Sequence, residues 1–240
     1  MKLICLAGFL GMAVMAYGSS FVIDNFSCAD SVSLTGSAVA GPGETSPEGP
    51  GFNSSFVSCP GSVGGVREDF LVIPTGPADS VSTIESTGNG TITGTFGSGI
   101  SEYEGIAWGG AALGDLNLDL VGDSILVQIQ SVSGGTLNVI LTSTTIPDTF
   151  DDLEFSTTFA GSPSYQDVLI PLTGTPTVLG TGANLDDVTA INVNLSLDTA
   201  GGTWAIDGVE AVPEPSTLLL TATICFLGIL TRSLWRRSPR

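Results

Sequence analysis

The basic side chains that assist nucleophilic catalysis, histidine and lysine, are nearly absent from this sequence. The chain has no histidine, and its one lysine, Lys2, stands next to the N-terminus. Nucleophilic catalysis pairs a serine or cysteine with such a base, so a Ser-His-Asp triad, a Ser-Lys dyad and a histidine-liganded metal site are excluded.

Carboxylate chemistry remains, as in glycoside hydrolysis. The clustered acids are Asp148, Asp151, Asp152, Glu154, Glu102 and Glu104. Because such pairs arise by chance in a chain with 24 acidic residues, we predict loop and edge charges, no catalytic residue and no enzyme.

Three aromatic residues are candidates for a glycan-binding site. Sugar rings stack on exposed aromatic side chains, while nearby carboxylates and amides bind their hydroxyl groups. Tyr103 has acidic neighbours, Trp108 precedes a Gly-Gly pair, and Tyr165 is the third candidate. A lone tryptophan beside glycines is also typical of a core residue, so a buried Trp108 is the alternative.

Cys28 and Cys59 are the two cysteines outside the apolar ends of the chain. In an exported protein the oxidising compartment favours a disulfide between them. The bridge would close a loop rich in glycine and proline that has little to pack against. A zinc site is improbable with two cysteines and no histidine.

The charge of the chain is concentrated in residues 19–211. This stretch of some 193 residues is long enough for one domain with a core, and it holds 23 acidic residues against one base, Arg67, a net charge of −22. Such a charge disfavours nucleic acid and other acidic polymers as direct partners. A solvated acidic surface is the simplest interpretation.

The N-terminus has the pattern of a secretory signal peptide. Lys2 precedes the uncharged run Leu3–Ala16, and small residues stand at Ala16 and Gly18. We predict cleavage after Gly18, or after Ala16, so that residues 1–18 are removed. An uncleaved anchor helix is the alternative, although the run is short for a bilayer.

A second uncharged run, Ser216–Thr231, stands near the C-terminus. Four arginines follow it: Arg232, Arg236, Arg237 and Arg240. Basic residues prefer the cytoplasmic side, so we predict one transmembrane helix with the main domain outside. The motif Pro213-Glu214-Pro215 precedes this run, and its prolines favour an extended chain.

The order of these parts resembles the PEP-CTERM sorting signal of Gram-negative bacteria. The resemblance covers residues 212–240: Pro213, Glu214 and Pro215, then the apolar helix, then the terminal arginines. It implies that an exosortase, a membrane-embedded cysteine peptidase, processes the tail, and that the bacterial membrane holds the protein until then. It also implies a final location at the cell surface or in the extracellular matrix, often with exopolysaccharide. A plain tail anchor is the alternative.

The stretch 19–211 predicts strands separated by turns. Ile191, Val193, Leu195 and Leu197 alternate with polar residues, which is typical of a half-buried strand. Ten strands are expected: Phe21–Phe26, Val66–Ile73, Val81–Glu85, Thr91–Phe96, Ile125–Ile129, Thr136–Thr142, Phe155–Phe159, Asp167–Leu172, Ile191–Leu197 and Thr203–Glu210. We predict a hairpin between the fifth and sixth, because Ser133-Gly134-Gly135 has turn chemistry. Ala183–Asp187 is expected to form one helical turn. The pattern favours an all-β fold, a β-sandwich or jelly roll.

Four short motifs in this stretch are similar to the galactose-binding-like jelly roll, the fold of many carbohydrate-binding modules. They are Phe21–Phe26, Gly64–Glu68, Leu185–Ile191 and Gly202–Val209. The resemblance implies that the first and last strands lie side by side, with a structural calcium near them. By position, Asp24 and Asp207 are the candidate ligands, although calcium takes six to eight oxygens.

Three classes of function follow. We favour a non-catalytic protein of the cell surface or extracellular matrix, sorted by its tail and associated with exopolysaccharide or biofilm. A glycan-binding module is the alternative, and a carboxylate-dependent glycoside hydrolase is the third.

Overall fold

The computed structural model of the chain describes residues 20–35, 52–75, 81–97, 101–110, 113–146 and 149–214. Residues 1–18, predicted as a signal peptide, and Pro215 with the apolar run and arginines after it lie outside the described residues. Phe21–Ala211 form one compact unit.

Two seven-stranded sheets make up this unit, with strands numbered in chain order. Antiparallel strand pairs build both sheets. Sheet A has the order β11 (Ser162–Pro171), β8 (Asp123–Ser131), β14 (Thr203–Pro213), β6 (Ile92–Thr95), β5 (Val81–Thr87) and β2 (Ala29–Thr35), and β1 (Phe21–Asp24) also pairs with β14. Sheet B has the order β12 (Thr177–Leu179), β10 (Thr149–Phe159), β9 (Gly135–Ile146), β13 (Ala190–Leu197), β7 (Ser101–Gly109), β4 (Val66–Thr75) and β3 (Phe52–Ser58).

The core lies between the two sheets and is built by alternation along the strands. Successive side chains in a strand point to opposite faces, so every second residue can be buried. In β8 the buried set is Ile125, Val127 and Ile129; in β9 it is Leu137, Val139 and Leu141. Ile191, Val193 and Leu195 of β13 join the same cluster, and Trp204 and Ile206 of β14 close it from sheet A. The predicted all-β sandwich is therefore confirmed.

The predicted hairpin between β8 and β9 is wrong. β8 pairs with β11 and lies in sheet A, whereas β9 pairs with β10 and β13 in sheet B. Residues 132–134 therefore carry the chain across the sandwich instead of folding β9 back onto β8. Turn residues show that the chain reverses, but they do not show whether the next strand stays in the same sheet.

Each of the ten predicted strands overlaps an observed one, but four observed strands were not predicted. β2 and β3 are rich in serine, β7 contains Gly105 and two glutamates, and β12 has three residues. The first predicted strand stops at Asp24, because Phe26 adopts a left-handed φ of 49°. Ala183–Asp187 forms a turn in which Asp186 N–H donates to Asn184 Oδ1 and Asp187 N–H to the Asn184 carbonyl.

In the part of the chain that the structure describes, no helix is long and apolar enough to cross a membrane. The predicted transmembrane run falls outside that part.

Candidate functional site

The one basic residue of 19–211, Arg67, is completely buried. In β4, Arg67, Asp69 and Leu71 share the inward face of the strand, and all three side chains are 0% exposed. Arg67 Nε lies 2.9 Å from Asp69 Oδ1, an ion pair rather than an aligned hydrogen bond. Arg67 Nη2 donates to Asp69 Oδ2 at 3.1 Å. The guanidinium therefore meets both oxygens of one carboxylate, one through a charge-assisted hydrogen bond and the other through an ion pair.

Asp24 is the second carboxylate of this group, and it is also fully buried. Its Oδ2 lies 3.4 Å from Arg67 Nη1 and accepts a hydrogen bond from Trp108 Nε1 at 2.9 Å. Its Oδ1 accepts the backbone N–H of Phe26 at 2.7 Å. We call Asp24, Arg67, Asp69 and Trp108 the Arg67 cluster. The strands that supply it belong to both sheets, so the cluster links the two layers through charge-assisted hydrogen bonds.

The position of Trp108 corrects one prediction. Its side chain is 0% exposed and lies in the core, with its N–H donated to Asp24. A sugar cannot stack on a buried ring, so Trp108 is not a glycan platform. The Gly-Gly pair after it supplies left-handed φ angles of 78° and 86°, which turn the chain at the end of β7.

The predicted disulfide is confirmed. Cys28 and Cys59 are bonded, with their Cα atoms 5.5 Å apart. The bridge lies beside the Arg67 cluster, because Arg67 Nη2 also donates to the Cys28 carbonyl at 3.3 Å. The guanidinium carbon stands 5.3 Å from the centre of the Phe26 ring, within range of a cation–π interaction. Covalent and ionic links therefore hold the segment after β1 against the start of β4.

Two carboxylates, Asp24 and Asp69, share one guanidinium in this core, and the pKa of the Asp69 carboxyl is raised. Burial raises the pKa of the Asp69 carboxyl to about 7; Arg67 opposes the rise, while Asp30 and Asp24 add to it. With Asp69 protonated the cluster is neutral. With Asp69 ionised it carries one net negative charge in a poorly solvating core.

Asp24 and Asp207, the predicted calcium ligands, both have protein hydrogen-bond partners in the structure. β1 and β14 do lie side by side, with Asp24 opposite Val209. However, the Asp24 oxygens already serve Arg67, Trp108 and Phe26. Asp207 is exposed and accepts a hydrogen bond from Thr91 Oγ1 at 3.3 Å. Among the described residues, no group of three or more Asp, Glu, Cys or His side chains could hold a metal ion.

The clustered carboxylates that could have served hydrolysis take other roles. Glu104 is buried and accepts the indole N–H of Trp204 in the core. Asp151 is buried and accepts the backbone N–H of Thr181 at 2.8 Å. Asp148 and the side chain of Glu102 lie outside what the structure describes. Glu104 and Asp151 are therefore buried structural acceptors, not groups facing a solvent-filled site.

A groove of about 350 Å³ opens on sheet A, across β6, β14 and β8. Its lining is uncharged and consists of Thr93, Gly94, Thr95, Gln130, Ser131, Val132, Thr203, Trp204 and Ala205. Thr93, Thr95 and Thr203 are exposed, and Ala205 is small, which leaves room above β14. Ser131 Oγ donates to the Thr203 carbonyl and fixes β8 against β14 below the groove. This combination can bind a neutral, hydroxyl-rich molecule.

Tyr165 belongs to the same sheet as this groove. It lies on β11, which pairs with β8, and its side chain is 43% exposed. Next to it on the sheet, Gln128 Nε2 donates to Asp167 Oδ1 at 3.2 Å. Tyr103 instead lies on β7 of sheet B, where its backbone pairs with Val72, and its side chain is not among those described. The three predicted aromatic residues therefore do not form one site.

Sequence reasoning missed most of the residues that matter here. The Arg67–Asp69 spacing of two, next to the apolar Leu71, was the available signal for a buried ion pair on one strand face. The groove residues gave a weaker signal, because exposed threonines are common on strands. Pro213 ends β14, Glu214 follows it, and Pro215 lies outside the described residues.

Comparison with known proteins gives low similarity throughout. No protein-family profile and no curated protein matches the chain. A family 11 carbohydrate-binding module from Clostridium thermocellum, in complex with a β-1,3-1,4-mixed-linked tetrasaccharide, is 14% identical with a TM-score of 0.40, covering 81% of this chain and 95% of that one. A family 29 module, CBM29-2 with mannohexaose, is 11% identical with a TM-score of 0.34, covering 78% and 94%. An exo-β-agarase is 13% identical with a TM-score of 0.36, covering 68% and 24%. These scores carry no argument about ligand or fold family, and the β-sandwich assignment rests on the strand pairing above.

Proposed function

We propose that this chain is an exported, non-catalytic surface protein whose β-sandwich, a jelly roll of the galactose-binding-like type, holds a neutral extracellular polysaccharide. Its PEP-type tail would deliver it to the cell surface or matrix of a Gram-negative bacterium after processing by an exosortase. The observation that carries the binding role is the uncharged groove across β6, β14 and β8, with Tyr165 exposed on the same sheet.

The charge of the domain favours a neutral glycan over an acidic one. Arg67, the one base of residues 19–211, is fully buried and ion-paired, so it cannot meet a uronate or sulfate group. Exposed Asp207 and Asp167 lie on β14 and β11 of the groove's own sheet. An acidic polymer would meet repulsion there, whereas the hydroxyl groups of a neutral glycan find donors and acceptors.

The size and lining of the groove suit a short stretch of sugar chain. Its 350 Å³ falls at the lower end of the range for small-molecule sites, roughly 300–1,000 Å³. Gln130 Nε2 already donates to the Pro163 carbonyl, so threonine hydroxyls and Gln130 Oε1 are the groups that can hydrogen-bond to sugar hydroxyls, and the Tyr165 ring can stack on a sugar face. An open groove, rather than a closed pocket, is accessible to a polymer.

The tail supports the export part of the proposal. The Pro-Glu-Pro motif begins at Pro213, the last residue of β14, so in the sequence the proposed sorting signal comes directly after this strand. The disulfide fits an oxidising compartment outside the cytoplasm.

Affinity electrophoresis of the full chain in detergent tests the binding role. Gels would contain β-1,3-1,4-glucan, galactomannan or agarose, and alginate as the acidic comparison. We expect retardation by at least one neutral polymer and none by alginate. Thr203→Ala with Gln130→Ala should weaken retardation several-fold, whereas Thr87→Ala, an exposed threonine of β5 on the same sheet, should not. A chain that no neutral polymer retards would overturn the proposal.

A further inference from the structure

We propose that Asn89 is a site of spontaneous modification, at which the side-chain amide closes on the Gly90 nitrogen and the residue becomes aspartate or isoaspartate. The reaction needs only this dipeptide and water, so the proposal does not depend on a ligand for the groove. It makes the turn between β5 and β6 a point at which the domain changes as it ages.

Asn89 and Gly90 form the one Asn-Gly dipeptide of the chain. The amide carbon of an asparagine can reach the backbone nitrogen of the next residue in a five-membered ring, and a side chain on that next residue hinders the approach. Gly90 has no side chain, and its φ of 96° is one that glycine adopts without strain. β5 ends at Thr87 and β6 begins at Ile92, so the dipeptide lies in the turn of this hairpin.

The Asn89 side chain is exposed, and no described residue hydrogen-bonds to it. The other exposed asparagines in the described part of the chain are each held by a backbone group: Asn25 by the Ser27 N–H, Asn53 by the Ser33 carbonyl, Asn117 by the Asp115 carbonyl and Asn184 by the Asp186 N–H. Asn89 therefore differs from them in its freedom to turn toward the following nitrogen as well as in its neighbour.

The attacking atom, the Gly90 nitrogen, makes a long hydrogen bond in the folded chain. Its N–H donates to the Phe26 carbonyl at 3.3 Å, beyond the roughly 2.7–3.2 Å that is usual for N–H···O bonds. A bond of this length is weak, so its loss when the nitrogen turns toward Asn89 Cγ costs little.

The chemistry is complete with water as the co-reactant. The Gly90 nitrogen loses its proton and bonds to Asn89 Cγ, the C–N bond of the side-chain amide breaks, and ammonia leaves with that proton. Water then opens the resulting imide at either carbonyl. Opening at one carbonyl gives aspartate with an ordinary backbone. Opening at the other gives isoaspartate, in which the main chain runs through Cγ and is one carbon longer.

The turn that would lengthen packs closely against the segment after β1. A Cβ atom on Gly88 would lie 3.1 Å from the Ala29 nitrogen and 3.2 Å from the Ser27 carbonyl oxygen, so backbone meets backbone there with no room for a side chain. An extra carbon in the turn shifts Gly90 relative to Phe26 and disturbs this contact.

Phe26 connects the turn to the Arg67 cluster. Its carbonyl accepts the Gly90 N–H, and its own N–H donates to Asp24 Oδ1 at 2.7 Å. Its ring lies 5.3 Å from the guanidinium carbon of Arg67. Loss of the bond from Gly90 releases one side of Phe26 while Asp24 still holds the other. Isoaspartate at position 89 should therefore make residues 26–29 open more often.

Peptide mapping of the full chain in detergent tests the site. After incubation in mildly alkaline buffer made with heavy-oxygen water, Asn89 should be converted several-fold faster than Asn53 or Asn117, with heavy oxygen in the new carboxyl group. Fragmentation should find both aspartate and isoaspartate. Asn89→Gln should slow the reaction at this position, because the longer side chain must close a larger ring. Conversion of Asn89 no faster than that of Asn53 and Asn117 overturns the site.

Hydrogen exchange tests the structural effect. The amides of residues 26–29 should exchange several-fold faster in aged protein that contains isoaspartate than in fresh protein. Asn89→Asp carries the same new charge on an unaltered backbone and should exchange like fresh protein. Equal acceleration in Asn89→Asp would overturn the role of the longer backbone, and unchanged exchange in aged protein would overturn the link to Phe26. Thermal melting identifies a variant that does not fold. Wild-type protein aged in mildly acidic buffer, where the reaction is slow, then serves as the control.

Discussion

Arg67 Nε lies 2.9 Å from Asp69 Oδ1 in the middle of the sandwich, and both side chains are fully buried. The domain has one base among 23 acids, and the fold places that base in its core rather than on its surface. Two consequences follow. The surface of residues 19–211 has no cation with which to attract acidic ligands, and the interior depends on one guanidinium to hold two carboxylates.

Removing that guanidinium should destabilise the domain severely. Arg67→Met would leave Asp24 and Asp69 buried without a cation, and breaking a buried ion pair costs about 3–5 kcal/mol. Urea unfolding followed by tryptophan fluorescence measures the change in unfolding free energy. Asp207→Asn removes an exposed carboxylate and should change it by less than about 0.5 kcal/mol. Equal stability of Arg67→Met and the wild type would show that the cluster is energetically neutral.

The cluster should also make stability depend on pH near neutrality. Burial raises the pKa of Asp69 from 3.8 to about 7. Between these values the folded state keeps a proton that the unfolded state has lost, so the unfolding free energy falls as pH rises and levels off above about 7. We therefore expect the melting temperature to fall between pH 5 and pH 8.

The variant Asp69→Asn isolates this effect from the general repulsion among the acids, which also grows with pH. Its amide has no proton to lose, so its melting temperature should fall less over the same range. Parallel curves for Asp69→Asn and the wild type would assign the pH dependence to surface charge.

The sequence contained more information about the core strands than about their arrangement. Alternation at Ile125, Val127 and Ile129 was enough to predict β8, because burial on one face imposes a period of two. Its sheet could not be predicted, since the turn at Ser133–Gly134 serves a hairpin and a crossover equally well. β2 and β3 were missed because their serines weaken the apolar alternation that identifies a strand.

Prediction of the candidate site was limited for a different reason. Cys28 and Cys59 could be paired by elimination, without geometry. Asp24 was noticed as an acidic residue beside the last strand, but its partners, Arg67 and Trp108, come from distant strands. Such long-range contacts leave no trace in local spacing.

Loss of the disulfide should weaken the domain by a predictable amount. The bridge closes a loop with a sequence separation of 31, worth about 3–4 kcal/mol in the chain-entropy model. Cys28→Ser/Cys59→Ser should lower the unfolding free energy by this amount, and reductant should lower that of the wild type equally. Reductant should have no effect on the double variant. Labelling of both cysteines in the folded, non-reduced protein would instead show that the bridge is absent.

A methyl group at Gly94 should be poorly tolerated. A Cβ atom there would collide with the Trp204 indole and with the Glu104 carboxylate that accepts its N–H. Overpacking of a core site costs about 1–3 kcal/mol, so Gly94→Ala should lower the unfolding free energy by that amount. Gly174→Ala meets only ordinary contacts and serves as the matched control. Equal urea midpoints for Gly94→Ala and Gly174→Ala would contradict the close packing of Gly94 against Trp204 and Glu104.

The final prediction concerns where the chain is cut. β14 ends at Pro213, so the Pro-Glu-Pro motif starts where backbone pairing stops. A peptidase needs an extended, unpaired backbone, and proline disfavours helix. We therefore expect mass spectrometry of the surface protein to find a new C-terminus between Pro213 and Thr217 and a new N-terminus after about Gly18.

Deletion of the host exosortase should leave the C-terminal arginines in place and retain the chain in the membrane. Replacement of Glu214 by Ala should have the same effect, whereas Glu210→Ala, inside β14, should leave processing intact. A full-length tail on the surface protein of a host with an active exosortase would mean that residues 216–231 are a plain anchor.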